Sequence, residues 1–111
     1  MPHFFHIDDQ NRERIGRNKL YFEFLRVPAM SAGVYVLPQG GTDLQKPHGE
    51  DEIYYVVRGK AKMQINTEHS PEQRDVRPGS IIFVEAEAEH RFYDISEELE
   101  LLVFFAPAEQ E

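Results

Sequence analysis

The residues best equipped for chemistry sit in one stretch, Lys46-Pro47-His48-Gly49-Glu50-Asp51-Glu52, which places an imidazole and three carboxylates directly before Ile53-Tyr54-Tyr55-Val56-Val57. Aromatic and β-branched residues favour strands, and Gly59 punctuates the end of the run. The segment therefore predicts a loop feeding a strand, with ligand-type side chains at the strand's mouth. A second segment, from Pro78-Gly79-Ser80 through Ile81-Ile82-Phe83-Val84 to His90 and Asp94, repeats the arrangement with a single histidine. The chain has no cysteine, so disulfides and thiolate ligands are excluded and a metal would have to be held by His, Asp, Glu or neutral oxygens. On an extended chain His48 and Glu52 share one parity and can face the same side, as can Tyr54 and Val56.

Short apolar bursts separated by turn signals must position these side chains. Phe4-Phe5-His6-Ile7 predicts an initial strand, and the polar Asp8 to Lys19 a loop or one short helical turn. Leu20 to Val27 predicts a strand that ends at Pro28, and Ser31 to Leu37 another, stopped by Pro38 and the pair Gly40-Gly41. Arg58-Gly59-Lys60 reads as a hairpin turn into Ala61 to Asn66, where apolar and polar residues alternate with the period of a half-buried strand. Thr67 to Asp75 reads as a surface loop, Arg77 to Ser80 as a turn, and Ile81 to Val84 as a buried strand. Arg91 to Ile95 and Glu98 to Ala106 read as two further strands. About eight short strands at intervals of ~8–12 residues, without an amphipathic helix, predict an all-β antiparallel sandwich or barrel. Tyr35, Phe83, Phe92 and Phe104 are expected in its core, Glu50 and Asp51 in a solvated approach to the strand, and the tail Glu109-Gln110-Glu111 is expected to fray. His3, His6 and His69 lie outside both segments and are given no role.

At 111 residues the chain is expected to be a single domain, residues 1–111, with one core. A hydrophobic fraction of 41%, with eight Phe and five Tyr, favours an ordered globular protein. Twelve basic against twenty acidic residues give a net charge of −8, which argues against a nucleic-acid partner and against an acidic membrane surface. No apolar run approaches the roughly 20 residues of a membrane-spanning helix, and Met1 to Ile7 lacks the basic flank and apolar core of a leader, so a cytoplasmic location is expected.

The two segments resemble the two sequence motifs of the cupin superfamily. In the first, His48 stands in the place of the second motif histidine, Glu52 follows four residues later, and Gly59 after six more. In the second, Gly79, His90 and Asp94 match in spacing, Asp94 standing for the usual asparagine. Together the motifs span Gly41 to Gly59 and Gly79 to Asp94. Two departures stand out: Lys46 occupies the place of the first motif histidine, and Glu85 and Glu87 replace the proline and glycine of the turn before His90. The resemblance implies a double-stranded β-helix, the jelly-roll or cupin barrel, whose motifs bring His48, Glu52 and His90 together around a divalent metal ion. Two imidazoles and a carboxylate suit Fe(II), and nearly as well Zn, Ni or Mn, and such a set leaves coordination positions open. Gln45 could add a neutral amide oxygen in place of the missing histidine. The alternative is a metal-free, hydrogen-bonded cluster.

Lys46 has three outcomes. An ammonium ~5 Å from a divalent cation is repelled by several kcal/mol, so it must turn away toward Asp43, Glu50 or Asp51, hold an anionic ligand at the rim (or act there as a desolvated base), or pair with Glu52 in a protein without metal. The leading expectation is a metal-binding small cupin with a ligand pocket in the barrel, of the dioxygenase, isomerase or decarboxylase kind. Lys46, Tyr54 and Arg91 would contact a small-molecule ligand. The competing expectation is a non-catalytic module that captures an anion with Lys46 and Arg91. A homodimer is expected in either case, the N-terminal strand adding to a neighbour's sheet.

Overall fold

The computed structural model describes residues 1–67 and 71–110. One helix, α1 (Ile7–Gly16), precedes six strands: β1 (Tyr21–Val27), β2 (Met30–Leu37), β3 (Asp51–Asn66), β4 (Pro71–Val76), β5 (Ile81–Val84) and β6 (Glu89–Ala106). All the strand pairings are antiparallel, in the order β1-β2-β6-β3-β4, with β5 also pairing with β3.

The long strands β3 and β6 form the spine. They pair from Asp51↔Ala106 at one end to Asn66↔Glu89 at the other, with register shifts between Val56 and Lys62. Bulges bend and twist a ladder. Here they divide it into two halves: Glu52 to Tyr55 pair with β5 and the end of β6, whereas Lys62 to Asn66 pair with β4 and the start of β6. Tyr54 and Val56 from the first half and Ala61 and Met63 from the second meet in one core with Phe92, Leu99, Leu101, Val103 and Phe105. The parity read from the sequence holds through this turn, because Glu52, Tyr54 and Val56 are buried while Asp51, Ile53 and Tyr55 face outward.

The structure corrects several expectations. Arg58-Gly59-Lys60 is no hairpin. Gly59 has φ +96 and continues β3 through the bulge, where a Cβ would collide with the Glu98 carbonyl oxygen, so a residue that reads as punctuation is there for close backbone approach. Arg91 to Ile95 and Glu98 to Ala106 are one strand, β6, and the count is six strands among the described residues. The expected loop at Thr67 to Asp75 is partly β4, an edge strand with five exposed residues that offers no apolar signal; Glu68 to Ser70, including His69, lie outside the described residues. The expected loop from Asp8 is instead mostly α1, and of the expected initial strand only Ile7 joins that helix while Phe4 to His6 are irregular. No residue of α1 is buried, which is why no apolar period marks it. Local terms hold it: His6 Nδ1 accepts from the Asp8 amide, Asp8 and Asp9 lie at the positive end of the helix dipole, and Glu13 pairs with Arg17. Tyr35 and Phe92 are core as expected, but Phe83 is 56% exposed and Phe104 only half-buried, because both sit on the outer parity of their strands. Among the described residues no helix is long and apolar enough to cross a membrane.

Candidate metal centre

His48 enters from the loop before β3, Glu52 from the start of β3, and His90 from the start of β6. One ligand atom from each lies within 4.8 Å of the others. The loop is held by Asp43, a buried residue that sequence reasoning treated only as a partner for Lys46. Its carboxylate accepts from the Tyr35 hydroxyl (3.0 Å), the Phe92 amide (3.0 Å) and the Gln45 amide (3.2 Å), so it pins the segment carrying Gln45 to the strand carrying His90. The turn between β5 and β6 is tied to the same loop, since the Glu87 amide donates to the His48 carbonyl at 2.7 Å and the Ala86 amide to Asp51 at 2.9 Å. Glu87, standing where the family pattern has glycine, adopts φ 70, so the left-handed turn survives the replacement at a cost in backbone strain.

Hydrogen bonds fix the protonation of both rings. His90 Nδ1 lies 2.9 Å from the Ala88 carbonyl, which can only accept, and His48 Nδ1 lies 3.1 Å from Glu109 Oε2. With a proton on each Nδ1, the neutral rings turn bare Nε2 lone pairs inward. His90 Nε2 is 3.3 Å from Glu52 Oε1 and 3.1 Å from the Tyr54 hydroxyl; His48 Nε2 is 3.2 Å from Gln45 Oε1. The Tyr54 hydroxyl also reaches Gln45 Oε1 at 3.1 Å, so a single phenolic proton serves two acceptors. Glu52 is 2% exposed, and among the described residues neither of its oxygens meets a donor at full hydrogen-bond geometry, although the Tyr54 hydroxyl and the His90 ring lie close enough to act on it.

Lone pairs and a buried carboxylate facing one another repel unless a cation stands among them, either protons or a metal ion. The electrostatics register this demand. Hydrogen bonding to Glu109 raises the His48 pKa against the opposing effect of burial, with Glu52 and Glu50 adding to the rise. Burial pulls His90 down, but Glu52 and the Ala88 carbonyl outweigh it and leave the pKa raised. Burial, then Glu52, pushes the Tyr54 phenol well above its ordinary range, so it stays a neutral donor. Ligands on an ion with bonds of ~2.1 Å stand roughly 3.0–3.4 Å apart in octahedral or tetrahedral geometry; the His90–Glu52 separation of 3.3 Å falls in that range, and the whole set lies within 4.8 Å. The residues present therefore fit a divalent cation held by His48, Glu52 and His90, with the Gln45 oxygen beside them.

The remaining predicted site residues are placed differently. Lys46 is exposed and makes no ion pair with Asp43, Glu50, Asp51 or Glu52. Arg91 is exposed, stacks its guanidinium 5.0 Å from the Tyr93 ring centre, and lines an open polar cleft of about 360 Å³ whose wall also includes Gln45, Gln64, Asn66 and His90. Glu50, expected to be solvated, is 6% exposed, because the Gln110 amide packs onto its Oε2. The tail expected to fray is thus anchored at Glu109 and Gln110, and it supplies Glu109 to His48. The residue lies far from both motifs, and nothing in its spacing announced it.

Comparison with known proteins agrees with this architecture. The chain is 42% identical over 105 residues to an uncharacterised protein of Streptomyces coelicolor, covering 95% of this chain and 96% of that one. The crystal structure of a Bacillus halodurans protein superposes with a TM-score of 0.80 at 17% identity, over 100% of this chain and 85% of that one. A structure of Fe(II)-HppE with an alternative substrate superposes with a TM-score of 0.63 at 18% identity, over 77% of this chain and 48% of that one. At such identities the two structures share the fold alone. The sequence model described as "Cupin domain" matches residues 33–105, from the middle of β2 to the end of β6, and the chain belongs to the cupin family.

Proposed function

We propose that this cupin binds one divalent metal ion through His48, Glu52 and His90, with Gln45 as a fourth, neutral ligand, and presents a small-molecule substrate to it. The observation that carries this reading is the buried Glu52 carboxylate, its oxygens without a well-placed donor among the described residues, opposite two imidazole nitrogens whose protons are committed elsewhere. Iron, zinc, nickel and manganese all accept such a set. When bound, the ion would supply Lewis-acid polarisation of a substrate oxygen, the chemistry shared by dioxygenase, isomerase and decarboxylase reactions of this class.

The chain's own residues would do the rest. Tyr54, fully buried, holds its proton between Gln45 and His90 and can deliver that hydrogen bond to a substrate atom beside the ligands. Arg91 offers a guanidinium at the adjoining cleft to a carboxylate or phosphate, set against the Glu89 and Asp43 carboxylates in the same wall, and Lys46, free of ion pairs among the described residues, can swing toward the same anion. Metal analysis by mass spectrometry on protein purified without a histidine tag tests the reading. Near-stoichiometric metal in the wild type should vanish in the His48→Ala, His90→Ala variant, and equal metal in both would overturn the site.

The open polar cleft at Arg91 favours a second reading, a metal-free module that captures an anion. It predicts thermal stabilisation by small carboxylates that survives chelator, because any ligand bound only by the folded state stabilises it. Under either reading we propose a homodimer. Residues 1–6 precede α1 as an exposed irregular segment, and the exposed Ile53, Tyr55, Ile81 and Phe83 on neighbouring strands are the face a second copy would cover. Light scattering on the eluting protein reads the mass directly.

A further inference from the structure

We infer that Glu109, carried in by the C-terminal segment, is the positioning residue of the metal centre: it fixes His48 as the Nδ1–H tautomer and thereby aims its Nε2 lone pair at the ion. The inference rests on the metal-site reading above and extends it to a residue outside both motifs.

The geometry is specific. After β6 the chain crosses the β1–β2 hairpin, and contacts at successive residues hold it there. The Ala108 amide donates to the Pro28 carbonyl at 3.4 Å, the Glu109 amide to Ser31 Oγ at 3.0 Å, and Arg26 donates to the Glu109 carbonyl at 2.6 Å. Beyond them the Gln110 amide donates to Glu50 Oε2 at 3.2 Å. Ala108 is 3% exposed, so the segment is packed as well as hydrogen-bonded. A backbone anchored on both sides leaves the Glu109 side chain one task, the 3.1 Å contact with His48 Nδ1, in which both side chains are about four-fifths buried (19% and 21% exposed).

His48 needs such a partner more than His90 does. His90 lies in a strand and finds the Ala88 carbonyl two residues away, whereas His48 lies in a loop, and among the described residues no backbone carbonyl accepts from its Nδ1. Ring contact with Phe105, at 4.9 Å between centres, limits the tilt of the imidazole but cannot choose its tautomer. Without Glu109 the ring is free to place its proton on Nε2 and donate to Gln45 Oε1, 3.2 Å away, which would turn a ligand atom into a donor. Loss of an outer partner of this kind typically lowers metal affinity by 10–100-fold.

The test uses full-length protein and two readouts. In chelated protein, at a pH where both imidazoles are neutral, long-range ¹H–¹⁵N correlation spectra should show His48 as the Nδ1–H tautomer in the wild type and in Glu109→Gln, whose amide oxygen still accepts. Glu109→Ala should shift His48 toward Nε2–H. Titration of the same proteins with Co(II), followed by calorimetry and by the visible absorption of the bound ion, should show affinity reduced about 10–100-fold in Glu109→Ala and largely restored in Glu109→Gln. An unchanged tautomer, or Co(II) binding as tight in Glu109→Ala as in the wild type, overturns the role of Glu109 while leaving the metal centre standing. Wild-type protein that takes up no Co(II) overturns the metal reading and this inference with it. Should Glu109→Ala fail to fold, Glu109→Gln against wild type still decides: Co(II) affinity within about 10-fold of wild type with the tautomer retained supports the role, and an Nε2–H tautomer in Glu109→Gln refutes it.

Discussion

Replacing Glu52 by glutamine isolates the charge at the centre of the site, and the structure fixes the sign of the effect. The side chain is 1% exposed, and in chelated protein with neutral imidazoles it faces the His90 Nε2 lone pair at 3.3 Å. An ion buried without a partner costs several kcal/mol after relaxation. Glutamine removes that charge and offers an N–H to His90, a hydrogen bond contributing about 1 kcal/mol, although the amide oxygen still lacks a donor and takes back part of the gain. Glu52→Gln should therefore stabilise the chelated protein by about 2 kcal/mol near pH 9. Acid reverses the sign. A histidine whose folded pKa is raised above its unfolded value of about 6.5 contributes stability that is fully present below that value and is lost as pH rises through the folded pKa. His90 is such a group: burial lowers its pKa, but Glu52 helps to raise it above the ordinary value, so below pH ~6 the wild type gains an ion pair that the variant lacks. The variant should then be the less stable protein by about 1 kcal/mol or more. Urea denaturation in chelator at the two pH values, with midpoints compared at equal slope, reads both signs. A variant destabilised by more than about 1 kcal/mol near pH 9 would refute the argument that Glu52 lacks a partner in the metal-free protein. Metal at ~100 times its Kd should add about 2.7 kcal/mol to the wild type and almost nothing to the variant.

Three further outcomes follow from other parts of the molecule. Protons held on His48 and His90 by their raised pKa values must leave before an ion binds, so Co(II) affinity should still be climbing as pH rises past the ordinary imidazole value of about 6.5; a calorimetric series already flat there contradicts the ligand assignment. Gly59→Ala forces a Cβ into the Glu98 carbonyl at φ +96 and should lower stability by about 2–4 kcal/mol in thermal or urea unfolding, whereas Gly40→Ala, at positive φ but with open space around it, should cost about 1 kcal/mol. Arg58→Met leaves Glu100, 4% exposed and held at 2.8 Å, as a buried unpaired carboxylate; the loss should be about 1–3 kcal/mol, discounted for the exposure of the arginine, and the double variant with Glu100→Leu should recover most of it in the same assay.

The convergence of His48, Glu52 and His90 was more legible in the sequence than the path of the chain that brings them together. Glu52, Tyr54 and Val56 turn inward because strand parity is a covalent property of the backbone, and Gly79 and His90 keep their spacing because a short strand and a tight turn separate them. What failed to show were features with no apolar or spacing signal. Helix α1 buries nothing, β4 is exposed on an edge, and a glycine that bends a continuous strand is indistinguishable in one sequence from a glycine that ends it. Glu50 and Glu109 read as solvated acids because their burial depends on the tail folding back over the β1–β2 hairpin, a contact between residues distant in sequence. Lys46, conspicuous because it stands where the family has a histidine, sits exposed, and Gln45 next to it takes the inward place.

The β3–β6 ladder carries one last implication. Glu52 pairs with Phe105 at one end and His90 with Ile65 at the other, a separation of about 43 Å measured along the strand, yet their side chains approach to 3.3 Å because the bulged middle doubles the ribbon back on itself. An ion gripped by both residues would act as the clasp of a bracelet, joining the ends of a curved band that is otherwise held shut by packing across its interior and by a few hydrogen bonds such as Tyr54 to His90 and Glu87 to His48. Mechanical opening of the band would then have to break coordination first, and the rate at which the ion escapes would set how long the whole barrel stays closed.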